Sequence, residues 1–89
     1  MTRNDVLRRL TPLIRTRAKA LPAGTAALTT ETRLEQDLRM DSMAIVHVLE
    51  DMEETFGIAI PDERLAGVYS VGDLVDIVRA SADTAGRAA

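Results

Sequence analysis

Apolar residues recur at helical spacing through segment 42–56, and this pattern constrains the fold of the 89-residue chain more than any other feature. With residues placed about 100° apart around a helix axis, four apolar side chains share one side and Val48 lies at its edge. The four are Ile45, Leu49, Met52 and Phe56. Asp41 or Ser42 supplies an N-cap, and Gly57 supplies a stop. The segment is therefore predicted to be an amphipathic helix with one side in a core.

An earlier helix is predicted from Thr2 to Ala20. Its apolar residues recur near helical spacing, with arginines on the other face: Val6, Leu10, Leu13, Ile14 and Leu21. Pro12 interrupts the pattern because proline lacks an N–H and clashes with the preceding turn. Either one helix is disturbed at Pro12, or Thr11 caps a helix that starts there; we expect the single disturbed helix.

The C-terminal part of the chain predicts a short helical turn over residues 63–65 and a last helix over residues 71–82, capped by Ser70. Strand patterns are absent, so the predicted class is all-α. We expect a bundle over residues 1–83 and a flexible tail over residues 84–89.

Segment 21–38 lacks clear periodicity and is predicted to be a long connection between the first two full helices. Its leucines are expected to pin it onto the core: Leu28, Leu34 and Leu38.

The composition excludes several classes of function. The chain has no Cys and one His, His47, so neither a disulfide framework nor a Cys/His metal site is available. No apolar run is long enough to span a bilayer, and charges interrupt every apolar stretch of residues 1–27, unlike a signal peptide. Two aromatic residues, Phe56 and Tyr69, are too few to stack nucleic-acid bases. We therefore expect a cytoplasmic protein that binds neither nucleic acid nor membrane.

Charge is divided unevenly along the chain, whose net charge is −3. Residues 1–27 hold six basic residues and one acid, whereas residues 28–89 hold thirteen acids and five arginines. This division indicates one basic element and an acidic body whose field would attract a basic partner. The alternative is that these charges only form the solvated faces of helices.

The predicted helix over 42–56 carries a second face, which starts at Ser42. Its members lie between about 0° and 120° when Ser42 is placed at zero: Ser42, Met43, Val46, Glu50, Glu53 and Glu54. Segment 41–56 holds five acids and no Lys or Arg, although like charges along a helix lower its stability. We interpret this face as a docking surface for a basic partner. An ordinary solvated face with two incidental apolar residues is the alternative.

Ser42 lies at the predicted helix N-terminus, where backbone N–H groups are unpaired and carry partial positive charge. A phosphate ester on its oxygen would be well placed there. A plain N-cap serine is the alternative.

Two stretches around Ser42 carry a family resemblance. Segment 34–43 reads Leu-Glu-Gln-Asp-Leu-Arg-Met-Asp-Ser-Met, and fourteen residues after Ser42 the chain reads Phe-Gly-Ile-Ala-Ile-Pro-Asp. Over about residues 28–80 the chain resembles the acyl carrier protein family. The resemblance implies a four-helix bundle with a long loop between helices one and two and a short third helix. It also implies a 4′-phosphopantetheine arm on Ser42 that carries acyl groups as thioesters.

The resemblance further implies a monomeric, non-catalytic carrier that serves fatty acid or polyketide biosynthesis. Its partners would be a phosphopantetheinyl transferase and enzymes with basic docking surfaces, namely an acyltransferase, a ketosynthase or acyl-loading enzymes. An aminoacyl or peptidyl carrier, or an unmodified interaction module, is the alternative. We expect a freestanding protein, with an excised synthase module as the other possibility.

Several positions depart from the family pattern. Arg39 replaces the usual Gly two residues before the Asp-Ser pair, and Met43 replaces Leu. Acids often present at the positions of Ala44 and His47 are missing, and Glu50 stands at an apolar position. We hypothesise that Arg39 pairs with the phosphate of the arm. The candidate recognition residues are Arg39, Asp41, Met43, Val46, His47, Glu50, Glu53 and Glu54.

A hydrolase triad of Ser42, His47 and Asp41 is disfavoured on geometry. Five residues along a helix place His47 about 140° around the axis from Ser42, so the imidazole cannot reach the hydroxyl. We expect His47 to tune the charge of the acidic face near neutral pH instead.

Overall fold

Helices alone build the part of the chain that the computed structural model describes, residues 2–19 and 28–88, with side chains up to residue 81. These ranges contain no strand, although one isolated antiparallel bridge joins Arg33 to Ser70. In chain order the elements are α1 (Arg3–Arg17), α2 (Ser42–Phe56), a 3₁₀ helix (Asp62–Gly67) and α3 (Val71–Ala88). The predicted all-α class, with a long loop after the first helix and a short third helix, is confirmed.

Helix α1 is continuous through Pro12, as predicted. Thr2 and Asp5 cap it reciprocally, since each side chain accepts a hydrogen bond from the other residue's N–H. The hydroxyl of Thr11 donates to the Leu7 carbonyl at 2.8 Å, so Thr11 does not cap a second helix. The helix ends at Arg17, three residues before the predicted end, and the predicted core residue Leu21 lies outside the described residues.

Helix α2 has the predicted bounds. Asp41 is its N-cap and accepts a hydrogen bond from the Ala44 N–H at 2.8 Å. Gly57 ends the helix in the left-handed conformation with φ of 66°, which glycine adopts without steric cost. Of the two cap candidates, Asp41 takes the role and Ser42 becomes the first residue of the helix.

The C-terminal elements are longer than predicted. The 3₁₀ helix spans six residues, and α3 continues through Ala88 instead of ending near residue 82. Residues 80–88 contain no proline, so no residue of this segment blocks the continuing helical backbone. The flexibility expected of residues 84–89 stays a prediction.

The core combines one side of each α-helix with the connection after α1. All three leucines expected to pin that connection are buried: Leu28, Leu34 and Leu38. Val48, placed at the edge of the apolar side by the helical wheel, is completely buried, whereas Phe56 is only half-buried. The Arg9 guanidinium lies 5.3 Å from the centre of the Phe56 ring. The buried side of α2 is thus shifted towards Val48, because α1 and α3 both pack against it.

Cations of α1 bridge to the rest of the protein. Arg3 pairs with Asp76 of α3 at 2.8 Å, and Arg17 pairs with Asp51 of α2 at 3.1 Å. Part of the basic charge at the N-terminus therefore balances acids within the fold, an outcome that neither interpretation of the charge division anticipated.

The connection before α2 links the N-termini of α2 and α3, at one end of the bundle, through backbone hydrogen bonds. The Leu34 N–H donates to the Tyr69 carbonyl at 3.0 Å, and the Gly72 N–H donates to the Thr30 carbonyl at 2.9 Å. The Met40 N–H donates to the Leu34 carbonyl, also at 3.0 Å. These bonds hold the segment before Ser42 against the start of α3.

Candidate attachment site and docking face

Ser42 is exposed at the first position of α2. Because Asp41 caps the helix, the Ser42 hydroxyl is not used as a cap, and within the described residues it makes no hydrogen bond. The amides of the first helical turn have no intrahelical acceptor and concentrate partial positive charge beside this hydroxyl. The position therefore combines an accessible nucleophilic oxygen with an environment that favours a phosphate.

Lys19 lies beside the same helix terminus, a placement that the sequence did not reveal. The ammonium of Lys19 is 3.2 Å from Asp41 Oδ2, and the backbone N–H of Lys19 donates to the Leu38 carbonyl at 3.1 Å. More than twenty residues separate it from Ser42, and no periodic pattern connects them, so no sequence signal could have found it.

Arg39 is exposed and adopts φ of 56°, the only positive φ of a non-glycine residue among those described. Most side chains pay a steric cost in this left-handed conformation, whereas glycine does not. Glycine, which the family resemblance leads us to expect at this position, would adopt this conformation without that cost. Arg39 lies three residues before Ser42 in the chain, and its predicted pairing with a phosphate stays a prediction.

Asp41 is held ionised by its surroundings. The hydrogen bond from the Ala44 N–H, followed by the one from Lys19, keeps the pKa of the Asp41 carboxyl below its usual value. Its two oxygens are therefore engaged, one by the helix terminus and one by Lys19, two residues after the end of α1. Its predicted role in partner recognition stays a prediction.

Some acidic side chains of α2 have a hydrogen-bond or ion-pair partner within the fold, and others have none. Glu53 accepts a hydrogen bond from the Ile60 N–H at 2.9 Å, which ties the end of α2 to the segment before the 3₁₀ helix. Asp51 is paired with Arg17. Glu50 and Glu54 are exposed, and their carboxylates have no hydrogen bond or ion pair within the described part of the chain.

The exposed face of α2 is completed by apolar and imidazole groups. The Met43 side chain is 61% exposed, while Val46 and His47 are half-buried beside it. With the two free acids, these residues form what we call the docking face: Met43, Val46, His47, Glu50 and Glu54. An apolar centre with acids towards the C-terminal end of the helix fits a basic protein surface that has an apolar patch.

The described groups do not form a hydrolase triad. Helix α2 is unbroken from Ser42 onward, so His47 keeps the angular offset that separates it from the hydroxyl. Within the described residues, no cluster of three His, Cys, Asp or Glu side chains is able to hold a metal ion. No described helix is both long and apolar enough to cross a bilayer.

Comparison with known families shows which family the chain belongs to. A family model described as "Phosphopantetheine attachment site" matches residues 12–78, which is most of the chain. The protein belongs to this family of phosphopantetheine-binding carriers, and within it to the acyl carrier proteins.

Individual relatives carry the acyl carrier name. An acyl carrier protein of Helicobacter pylori (strain G27) is 36% identical over 68% of this chain and 78% of its own length. A "Probable acyl carrier protein" of Caulobacter vibrioides is 40% identical over 54% of this chain, and the match spans only 56% of that protein. A "Meromycolate extension acyl carrier protein" of Mycobacterium leprae is 38% identical over 58% of this chain and 45% of its length.

A solved structure shares the fold. An acyl carrier protein from Thermotoga maritima superposes with a TM-score of 0.76 over 92% of each chain, at 20% identity. The two proteins therefore share a fold, and the arrangement of helices predicted from the family resemblance is confirmed.

Phosphopantetheine is the group that binds in this family, and the surroundings of Ser42 fit it. A phosphodiester at the hydroxyl would lie at a helix N-terminus, with Lys19 held nearby on Asp41, and the exposed position leaves a long arm free to move. When bound, the group supplies a thiol, which the cysteine-free chain does not have.

Proposed function

We propose that this protein is a non-catalytic carrier that holds acyl groups as thioesters on a 4′-phosphopantetheine arm attached to Ser42. The observation that carries the proposal is the exposed, unpartnered Ser42 hydroxyl at the start of α2, within a phosphopantetheine attachment family. Relatives named as acyl carriers favour acyl over aminoacyl cargo. Delivery to fatty acid or polyketide enzymes, a monomeric state and a cytoplasmic location belong to the same proposal.

The attachment reaction balances with coenzyme A as donor. The Ser42 oxygen bonds to the phosphorus that carries the pantetheine, the pyrophosphate bond breaks, and adenosine 3′,5′-bisphosphate leaves. The hydroxyl proton passes to a base of the phosphopantetheinyl transferase. This chain contributes the oxygen, the helix terminus that faces the phosphate, and the ammonium of Lys19 held beside that terminus on Asp41.

Intact mass spectrometry tests the attachment directly. The protein is incubated with coenzyme A, magnesium and a broad-specificity phosphopantetheinyl transferase. We expect one phosphopantetheine addition to the wild type and to Ser81→Ala, and none to Ser42→Ala. Among the described serines, only Ser42 presents a hydroxyl without a partner at a helix N-terminus, since the Ser70 hydroxyl accepts a hydrogen bond from the Asp73 N–H. A folded wild type that gains no mass would contradict the proposal, and an unmodified interaction module would replace it.

Loading assays separate the cargo classes. The holo protein is offered to a malonyl-loading enzyme and to an aminoacyl-loading enzyme in parallel. We expect a thioester only with the first; loading by the second alone would make the protein an aminoacyl carrier.

Charge reversal tests the docking face. Glu50→Lys and Glu54→Lys should each raise the KM of the transferase about tenfold at low salt, because a basic partner loses an attractive charge. The effect should shrink at high salt, since these charges are exposed and screened.

Two controls separate docking from folding. Glu31→Lys reverses an exposed acid outside α2 and should leave KM unchanged. Glu53→Ala removes the bond to the Ile60 N–H and should lower the melting temperature while leaving KM near the wild-type value. A larger KM effect from Glu53→Ala than from Glu54→Lys would argue against the docking face as defined.

A further inference from the structure

A small cleft lies beside the connection before α2. It has a volume of about 80 Å³ and is lined by Arg33, Glu35, Gln36 and Tyr69. Tyr69 is 71% exposed, and Met43 is the other large apolar side chain that is exposed among the described residues. Large aromatic rings held at a surface commonly serve as contact points for a ligand or partner.

The walls of the cleft are held by hydrogen bonds. The Tyr69 N–H donates to Asp73 Oδ2 at 2.8 Å, and its carbonyl accepts from the Leu34 N–H at 3.0 Å. On the opposite side, the Arg33 N–H donates to Asp37 Oδ2 at 2.8 Å. Because the backbone on both sides is already fixed, an occupant loses little free energy to ordering the site.

Backbone hydrogen bonds connect the cleft to the segment that leads to Ser42. Hydrogen bonds run from Tyr69 to Leu34 and from Leu34 to Met40, two residues before Ser42. Since each bonded pair places Cα atoms about 5–6 Å apart and each residue adds at most about 3.8 Å, the Cα atoms of Tyr69 and Ser42 are within roughly 20 Å.

We infer that this cleft is a resting site for the phosphopantetheine arm, an inference that rests on the proposed attachment to Ser42. The arm is a slender chain of aliphatic segments and two amides. The Gln36 side chain can donate to and accept from such amides, and the Tyr69 ring can pack against the aliphatic part. A volume that admits only about two or three water molecules suits a slender chain better than a bulky side chain of a partner protein.

Tethering makes a weak site effective. An arm fixed at Ser42 presents its chain to the cleft at an effective concentration on the order of millimolar, so even a low intrinsic affinity populates the contact. The thiol would spend part of its time against the protein between encounters with enzymes.

Tyrosine fluorescence tests the contact, because the chain contains one tyrosine and no tryptophan. The apo and holo proteins are titrated with acrylamide, a neutral quencher. We expect attachment to reduce the quenching constant of Tyr69 by about half, since the tethered arm covers the exposed ring for much of the time. In holo Gln36→Ala the reduction should disappear, whereas in holo Glu31→Ala it should persist.

Thiol reactivity is an independent measurement. In the holo wild type the arm thiol should react with a disulfide reagent about twofold more slowly than free pantetheine, and Tyr69→Ser should restore the faster rate. The substituted ring is exposed, so this variant should fold like the wild type.

The outcomes separate the two proposals. No mass addition would refute attachment and this site with it. Addition with equal quenching constants in apo and holo protein would refute the resting site alone. Protection of Tyr69 that requires an added loading enzyme would make the cleft a protein contact and overturn the inference.

Discussion

At the scale of single residues, neighbouring groups with similar chemistry have different tasks. Asp41 caps α2, which leaves the adjacent Ser42 hydroxyl free to react. Glu53 is bonded to the backbone of Ile60, whereas the next residue, Glu54, is exposed. A helical wheel cannot predict which of two neighbouring acids is hydrogen-bonded, because the bonding partner comes from another segment of the chain.

Arg39 gives a prediction at this scale. Arg39→Gly should raise the free energy of unfolding by about 0.5–1 kcal/mol, because glycine adopts φ of 56° without the steric cost that arginine pays. Urea denaturation measures the change. Glu35→Gly, at an exposed position with negative φ, should instead lower stability through the entropy of the unfolded chain. Equal effects of the two substitutions would contradict the strain at Arg39.

At the scale of elements, the connection after α1 is part of the bundle. It contributes buried leucines to the core, and its backbone bonds both to the start of α3 and to the residues before Ser42. Gly72 of α3 packs tightly against the backbone of the connection, since a Cβ placed at Gly72 would lie 2.9 Å from the Thr30 carbonyl oxygen. The attachment site is thereby positioned by packing between the connection and α3.

Gly72→Ala tests this interlock. Although alanine favours helix, the substitution should lower the free energy of unfolding by about 1–3 kcal/mol, because the added methyl group meets backbone. Gly67→Ala is the matched control, since a Cβ there meets nothing within 4 Å, and it should be neutral or slightly stabilising. Thermal and urea unfolding measure both. A stable Gly72→Ala protein would show that the connection moves easily away from α3.

At the scale of the whole molecule, charges tie the elements together and make stability depend on pH. Three aspartates that accept backbone hydrogen bonds have a pKa below the usual value of 3.8: Asp5, Asp37 and Asp41. The backbone N–H is the largest cause in each case, because it favours the ionised carboxylate.

The sign of the pH effect follows from these lowered pKa values. Each group contributes stability that is fully present above its unfolded pKa, near 3.8, and is lost as pH falls through the lower folded pKa. The melting temperature should therefore decrease as the pH is lowered below about 4. Replacing all three aspartates by asparagine should flatten that fall, because the amide oxygen can still accept the hydrogen bond and does not titrate in this range. Glu54→Gln should retain the wild-type profile; a triple variant with that same profile would contradict this account.

The sequence by itself determined the order of the helices and indicated the attachment motif, although it misplaced the ends of α1 and α3 and left the cap of α2 open between Asp41 and Ser42. The helices and the motif depend on residues within a few positions of one another, through helical spacing, the capping chemistry of Asp41 and the left-handed turn at Gly57. The sequence also marked Arg39 as a departure from the family pattern, although its positive φ was not anticipated. Such local rules need no knowledge of the rest of the fold.

Only the tertiary structure decided what surrounds Ser42. It brought Lys19 to the start of α2, committed Glu53 to a distant backbone N–H, and placed Tyr69 beside the connection that leads to Ser42. It also shifted the buried side of α2 from Phe56 towards Val48. These contacts join residues far apart in the chain, and burial of the shared core sets them. Ser42 could therefore be proposed from the sequence, whereas Lys19 beside it and the cleft at Tyr69 were found only in the packed bundle.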